Sequence, residues 1–323
     1  MGLQGTARDM KAREFITKIP VPICGLALGL ASLDLFLSQR YDPYAYRIFA
    51  VLAAIILSLF TLRMVFDRRG ILKDIENPAI FGVLPTYTMT LMLLSAYAKD
   101  YIGDLALILW LGAIAASFFM MVIFVTRYFF KVDVNKVFPA WIIIFVGYVV
   151  ASVTSPAFGM ERLGQMIFWI GVTGYLTVIP LIIYRMLKVR KIPESLIPQI
   201  AIITAPVNLC ISGCLTAFGD SPPETMLMIL TVLGVISYVA VMLYLPVMLN
   251  RRFYPSYAAL TFPLVISAAS FYKLGVYFEL SSDLFMILRD ITAVAAVAIV
   301  VYVLIRYVIF LCQTAKSTGK ANA

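Results

Sequence analysis

The sequence predicts an all-α membrane protein with ten transmembrane helices arranged as five helical hairpins. Three observations carry that expectation. Of 323 residues, 62% are hydrophobic and only 13% charged, against about half and a quarter in an average soluble domain. Mean hydropathy is +0.96 over the whole length. Apolar runs long enough to cross a hydrocarbon core of ~30 Å recur along the chain, divided by short polar connections.

The spans are expected at 20–38, 44–66, 78–98, 103–126, 138–157, 163–187, 197–218, 224–249, 256–278 and 284–311. An N-terminal arm (1–19) precedes a ten-helix membrane domain (20–312), and a short tail (313–323) follows. No stretch is left for a sizeable soluble domain. The first apolar run lacks the small-residue cleavage pattern of a signal peptide.

Odd and even spans differ in kind. Pro20 and Pro22, Pro78, Pro139, Pro198 and Pro255 open the odd spans, where proline loses nothing because the first N–H groups of a helix are unpaired anyway. Pro85, Pro206 and Pro263 lie inside the third, seventh and ninth spans. There a proline removes a backbone bond, so helix kinks are expected at all three. The even spans hold Pro180 and Pro246, so the contrast is partial.

The odd spans also carry small and hydroxylated stripes at helical spacing. These are Gly25, Gly29 and Ser32; Thr86 and Thr90; Gly147, Ala151 and Thr154; Thr204, Asn208, Ser212 and Thr216; and Thr261, Ser267 and Ser270. Any one stripe suits close helix packing. Five at the same repeat position point to a shared, pore-lining role around one pathway. The even spans are bulkier, as in 226–249 and 294–311, and read as facing lipid or partner helices.

Charge sets the expected orientation. The tails and the connections after even spans hold 20 of the 26 basic residues, including Arg63, Arg68, Arg69 and Lys73, then Arg127, Lys131 and Lys136, then Arg185, Lys188, Arg190 and Lys191. The other side holds Arg40, Arg47, Lys99, Arg162, Lys273 and Arg289, with ten of the 17 acids. The positive-inside rule then places both termini in the cytoplasm of a multi-pass plasma-membrane protein. The net charge of +9 is therefore a topology signal, and no nucleic-acid partner is expected.

Several chemistries are excluded. With no histidine in the chain, imidazole metal sites, triads and proton relays are impossible. Cys24, Cys210, Cys214 and Cys312 lie in apolar segments without a C-x-x-C spacing, and read as small packing residues. No nucleophile, acid/base pair or metal cluster stands at membrane depth, so no enzyme, catalytic residue, metal or cofactor is expected. The ionisable residues nearest the spans' interiors (Asp34, Lys273, Arg289, Asp290) lie toward their outer ends. A neutral, hydroxyl-bearing path suits a channel, which must release what it binds. The N-termini of all five odd helices ring the cytoplasmic mouth and favour anions there.

The order of particular pieces sharpens this. They are the Gly25 to Gly29 run, Asn77-Pro78 with Phe81 and Pro85-Thr86, Phe138-Pro139-Ala140, Ala205-Pro206 with Cys210 and Ser212, and Ala259 to Pro263 including Phe262. In these pieces and their spacing the chain resembles the tellurite-resistance/dicarboxylate transporter family, which includes bacterial TehA and the plant slow-type guard-cell anion channels. The resemblance implies a quasi-fivefold arrangement of the hairpins around a central pore, in each protomer of a homotrimer. It implies an anion channel or channel-like uniporter for chloride or nitrate, with Phe262 as the gate. It also implies the alternative of a secondary carrier or efflux protein for C4-dicarboxylate, sulfite or tellurite-type oxyanions. Tyr257 and Ala258 stand where the family often has a tryptophan ahead of the gate.

Overall fold

The protein is described by a computed structural model covering residues 13–41, 46–130, 132–189 and 192–321. Lys131, Arg190 and Lys191, named above for orientation, lie outside the described residues, as do Arg8 and Lys11 of the N-terminal arm and Asp42 on the opposite side. Ten apolar helices are long enough to cross a membrane: α1 (Ile23–Arg40), α2 (Arg47–Phe66), α3 (Pro78–Ile102), α4 (Asp104–Phe129), α5 (Trp141–Phe158), α6 (Glu161–Lys188), α7 (Glu194–Phe218), α8 (Glu224–Leu249), α9 (Pro255–Tyr277) and α10 (Asp283–Lys316). No strand occurs among the described residues. The final helix continues to Ala321, through most of the stretch read from sequence as a tail.

Burial separates the two classes cleanly. The odd helices are 67–78% buried and the even ones 28–39%. α1 packs on α3, α3 on α5, α5 on α7 and α7 on α9, and α9 returns to α1. The five odd helices thus close a ring. Each even helix lies in the groove between its own odd partner and the next, with α10 spanning α9 and α1. The even helices' bulky residues, such as Ile229, Val232, Ile236, Leu243, Val294 and Ile305, are exposed on the perimeter. That is the expected placement where lipid tails, not water, are the solvent. Cys24, Cys210 and Cys214 are buried as packing residues, but Cys312 is exposed on α10, because the perimeter helix turns that face outward.

Charges mark the two ends. All odd helices begin at one face and all even helices at the other. Asp104, Glu161, Glu224 and Asp283 occupy the first turns of α4, α6, α8 and α10, where the helix dipole favours an acid. Arg63, Arg185 and Lys188 close α2 and α6. The two ends are named here the basic face and the acidic face. At the basic face the Arg63 guanidinium donates to the Ile19 carbonyl at 2.5 Å and the Asp74 carboxylate at 2.6 Å. It thereby ties α2 to the lead-in of α1 and to the short helix Arg68–Asp74.

The prolines act on the ring helices as backbone chemistry requires. Each removes the N–H that would bond the carbonyl four residues back. Before Pro85 the helix breaks into turns, and the Leu84 N–H takes the freed Phe81 carbonyl at 3.0 Å. Before Pro206 the chain runs as a tight 3₁₀ helix from Glu194 to Thr204, and the Ala205 N–H takes the Ile202 carbonyl. Pro263 likewise follows a 3₁₀ segment, Pro255–Leu260, at the start of the α-helical part of α9. α5 is interrupted without an internal proline at this level, by a 3₁₀ turn at Gly147–Val149. Pro180 and Pro246, by contrast, lie within continuous perimeter helices.

Candidate functional site

All ring helices run from the basic to the acidic face, so position along each one measures depth. Two small cavities lie on the ring axis. The first, of about 40 Å³, is lined by Gly25 and Leu28, by Val83, Thr86 and Met89, by Ile142, Ile143, Val146 and Gly147 of α5, by Ile202, Ala205, Pro206 and Leu209 of α7, and by Ala258, Ala259, Phe262 and Pro263. The second, of about 20 Å³, lies farther along every helix, at Ser32, Phe36 and Gln39, Leu93, Val150 and Val153, Leu209 and Ser212, and Phe262, Val265, Ile266, Ala269 and Lys273. A water needs ~10–15 Å³ measured this way, so each holds only a few waters or one.

Among the described residues, Phe262 and Leu209 alone border both cavities. Phe262 is 7% exposed, and its ring and Leu209 form the layer between the two spaces. A layer of that kind offers an ion no hydrogen bond. A wider cavity of about 360 Å³ opens at the basic face between the starts of α1, α3, α7 and α9, with Lys18, Arg63 and Gln199 on its wall.

The residues read from sequence as pore-lining divide into two sets. Gly25, Thr86 and Gly147 line the first cavity, and Ser32 and Ser212 the second. The kink residues Pro206 and Pro263 also border the first cavity, whereas Pro85 borders neither. The other ten, Thr216 and Ser270 among them, line neither cavity. Gly29 lies where α1 meets α9, and a Cβ there would stand 2.3 Å from the Thr261 Oγ1. Thr261 donates to the Ala258 carbonyl at 2.7 Å and approaches that of Gly25 at 3.1 Å. Thr90 donates to the Thr86 carbonyl at 2.7 Å, with the Cys24 carbonyl at 3.5 Å. Thr154 accepts from the Trp110 indole at 2.8 Å, in the seam with α4.

Thr204, Asn208 and Ser267 belong to a network joining α7, α8 and α9. The Asn208 amide donates to Thr204 Oγ1 at 2.9 Å and accepts from Ser270 at 2.7 Å, while Ser237 of α8 donates to Thr204 at 3.2 Å. Thr204 and Ser267 hydroxyls lie 3.3 Å apart. Ala151 is buried without bordering a cavity. The physical reason is common to the set. A hydroxyl in a dry helix seam satisfies itself on a carbonyl, and small residues let the backbones approach.

Sequence reasoning passed over the apolar wall: Leu28, Met89, Val146, Ile202 and Leu209. Nothing distinguishes such residues from packing until the ring is assembled. Lys273, placed from sequence at an outer helix end, borders the second cavity. Asp34 is wholly buried but borders neither cavity, with an Arg47 guanidinium nitrogen at 3.8 Å across the first hairpin. Tyr257, ahead of Phe262, is buried and donates to the carbonyls of Met248 and Arg251, fixing the start of α9 to the end of α8.

A ring of bent helices around two small axial cavities, wrapped by apolar helices, defines a multi-pass membrane protein. The family model described as voltage-dependent anion channel, SLAC1, matches residues 19–308. The chain belongs to that family, whose members are anion channels or transporters. No curated protein matches the chain.

Proposed function

We propose that the chain conducts small monovalent anions such as chloride or nitrate along the ring axis, with Phe262 as the gate. The supporting observation is the position of Phe262 and Leu209 as the residues common to both axial cavities. Among the described residues no carboxylate borders either cavity, so none on their walls repels an anion or captures a cation. Neither wall carries a carboxylate or a histidine that could carry a coupled proton, which favours a channel over a proton-driven carrier of oxyanions. In this reading the basic face is cytoplasmic and the protein sits in the plasma membrane as a homotrimer of separate pores.

The test is anion flux through purified protein in liposomes or a planar bilayer. Phe262→Ala should raise flux per folded molecule, and Phe262→Leu should raise it less because much of the plug stays. Well-folded Phe262→Ala protein that conducts no better than the parent overturns the gate assignment. A flux that follows a pH gradient at zero potential overturns the channel reading.

A further inference from the structure

We infer that the acidic-face cavity is a binding site for one small monovalent anion, held by the Lys273 ammonium with the Ser32 and Ser212 hydroxyls. The inference rests on reading the ring axis as an anion path and adds a specific station on it. Lys273 stands on α9 eleven residues beyond Phe262, or ~16 Å along a helix, and borders the cavity. Its Nζ donates to Thr216 Oγ1 at 2.6 Å. The Thr216 hydroxyl spends its own proton on the Ser212 carbonyl at 2.7 Å, so it orients the ammonium without neutralising it. An ammonium has three donors, and no carboxylate of the described residues forms an ion pair with this one.

The two serines supply a second, independent sign. Ser32 is 6% exposed and Ser212 wholly buried, both border the cavity, and neither Oγ has a hydrogen-bond partner. Thr90, Thr154 and Ser267 on the ring helices instead bond a carbonyl one turn back, and Ser95 of α3, also without a partner, borders neither cavity. A buried polar atom without a partner is uncommon and calls for an occupant. Two free O–H donors and a cation around one space suit an anion.

Electrostatics and size narrow the ligand. The carbonyl ends of all five ring helices point toward this face, and their partial negative charge disfavours an anion. Lys273 offsets that at the one place where the path needs it. At the same face, Arg40 and Arg289 share the single Asp290 carboxylate at 2.5 and 3.2 Å, two cations on one anion. The remaining wall is Leu, Val, Ile, Ala and Phe apart from Gln39. A space of about 20 Å³ takes one small ion, so chloride or nitrate fits and a C4-dicarboxylate does not.

The experiment measures thermal stability of the detergent-solubilised full chain as nitrate or chloride replaces gluconate at constant ionic strength. A ligand bound only by the folded state raises Tm with its concentration. The parent should shift upward with nitrate or chloride and not with succinate. Lys273→Met should lose most of that shift, Lys273→Arg should keep it, and Ser32→Ala with Ser212→Ala should raise the half-saturating concentration severalfold with the cation intact. The serine pair keeps the test decisive if Lys273→Met folds poorly. An unchanged shift in both Lys273→Met and the serine double variant overturns the site, even if the protein conducts anions. A shift that Lys273→Met abolishes supports the site, even if Phe262→Ala fails to conduct and the channel reading falls.

Discussion

The two axial cavities are separated by one aromatic ring and a leucine, yet they are built differently. The basic-face cavity is walled almost wholly by apolar side chains, with Thr86 the one hydroxyl, and that hydroxyl is satisfied on the Val83 carbonyl at 2.7 Å. The acidic-face cavity carries two unsatisfied serine hydroxyls, Gln39 and Lys273. Helix direction explains the difference. Five helix N-termini already make the basic face attractive to anions, so its walls need no charge. The carbonyl ends at the other face do the reverse, and a side-chain cation stands there to oppose them. In the proposed reading, backbone dipoles serve one half of the path and side chains the other.

The layer between the halves is where the comparison breaks first. Removing the Phe262 ring joins the two cavities into one wettable path. Phe262→Ala should therefore raise anion flux by about a hundredfold, equivalent to ~2.7 kcal/mol off the barrier. Leu209→Ala removes the smaller part of the same layer and should give about fivefold, ~1 kcal/mol. Stopped-flow quenching of a halide-sensitive dye in liposomes, normalised to protein, measures both. A larger effect from Leu209→Ala than from Phe262→Ala would mean that Leu209, not the ring, carries the constriction.

The next effect concerns the seam behind the gate. A methyl at Gly29 meets Thr261 Oγ1 at 2.3 Å, Thr261 Cβ at 2.5 Å and the Phe262 backbone nitrogen at 3.2 Å. None of these is a flexible chain end, so α1 and α9 must separate beside the gate. Gly29→Ala should lower stability by about 2 kcal/mol, as overpacking does, and should make the gate leak. Thermal unfolding and basal flux measure this on one preparation. A stable, tight Gly29→Ala protein would show that the α1–α9 seam does not hold the ring in place.

A smaller loss is expected in the α7–α8–α9 network. Thr204→Val keeps the shape but removes the hydroxyl that Asn208 and Ser237 both donate to. The expected cost is about 1 kcal/mol, read as a lower Tm, with flux per folded molecule unchanged because Thr204 borders neither cavity. A change in flux at constant stability would bring Thr204 back to the path.

These cases show how far the sequence reached. Ten apolar runs, odd-span prolines and basic connections were legible because each is a local pattern with a local cause. So was the contrast of central and perimeter helices, carried by small against bulky residues. The site was legible only in part. Phe262 stood out through its neighbours Thr261 and Pro263 in the family resemblance, not through its own chemistry. Ser212 and Thr204 are one stripe on one helix, yet Ser212 faces the axis and Thr204 the seam. Eight residues of helix rotate a side chain through more than two turns, and the kink before Pro206 changes the phase between them. Leu209 carries no sequence sign at all, because an apolar residue facing an apolar path resembles one facing a core.

The smallest effect separates the two cavities most directly. Thr86 and Ser212 are both hydroxyls on ring helices, and both border an axial cavity. Thr86 has already given its proton to the Val83 carbonyl and accepts little from a passing anion, which offers no donor. Ser212 has its proton free. In the Phe262→Ala background, where flux is large enough to resolve small changes, Thr86→Val should alter chloride flux by less than about twofold, ~0.4 kcal/mol. Ser212→Ala should lower flux at low chloride and leave it unaltered at saturating chloride, because it weakens binding without narrowing the path. The concentration dependence of flux, measured from each side of an oriented bilayer, separates these outcomes. If Thr86→Val depresses low-chloride flux as much as Ser212→Ala, the two cavities bind anions alike and the division between backbone and side-chain attraction is wrong.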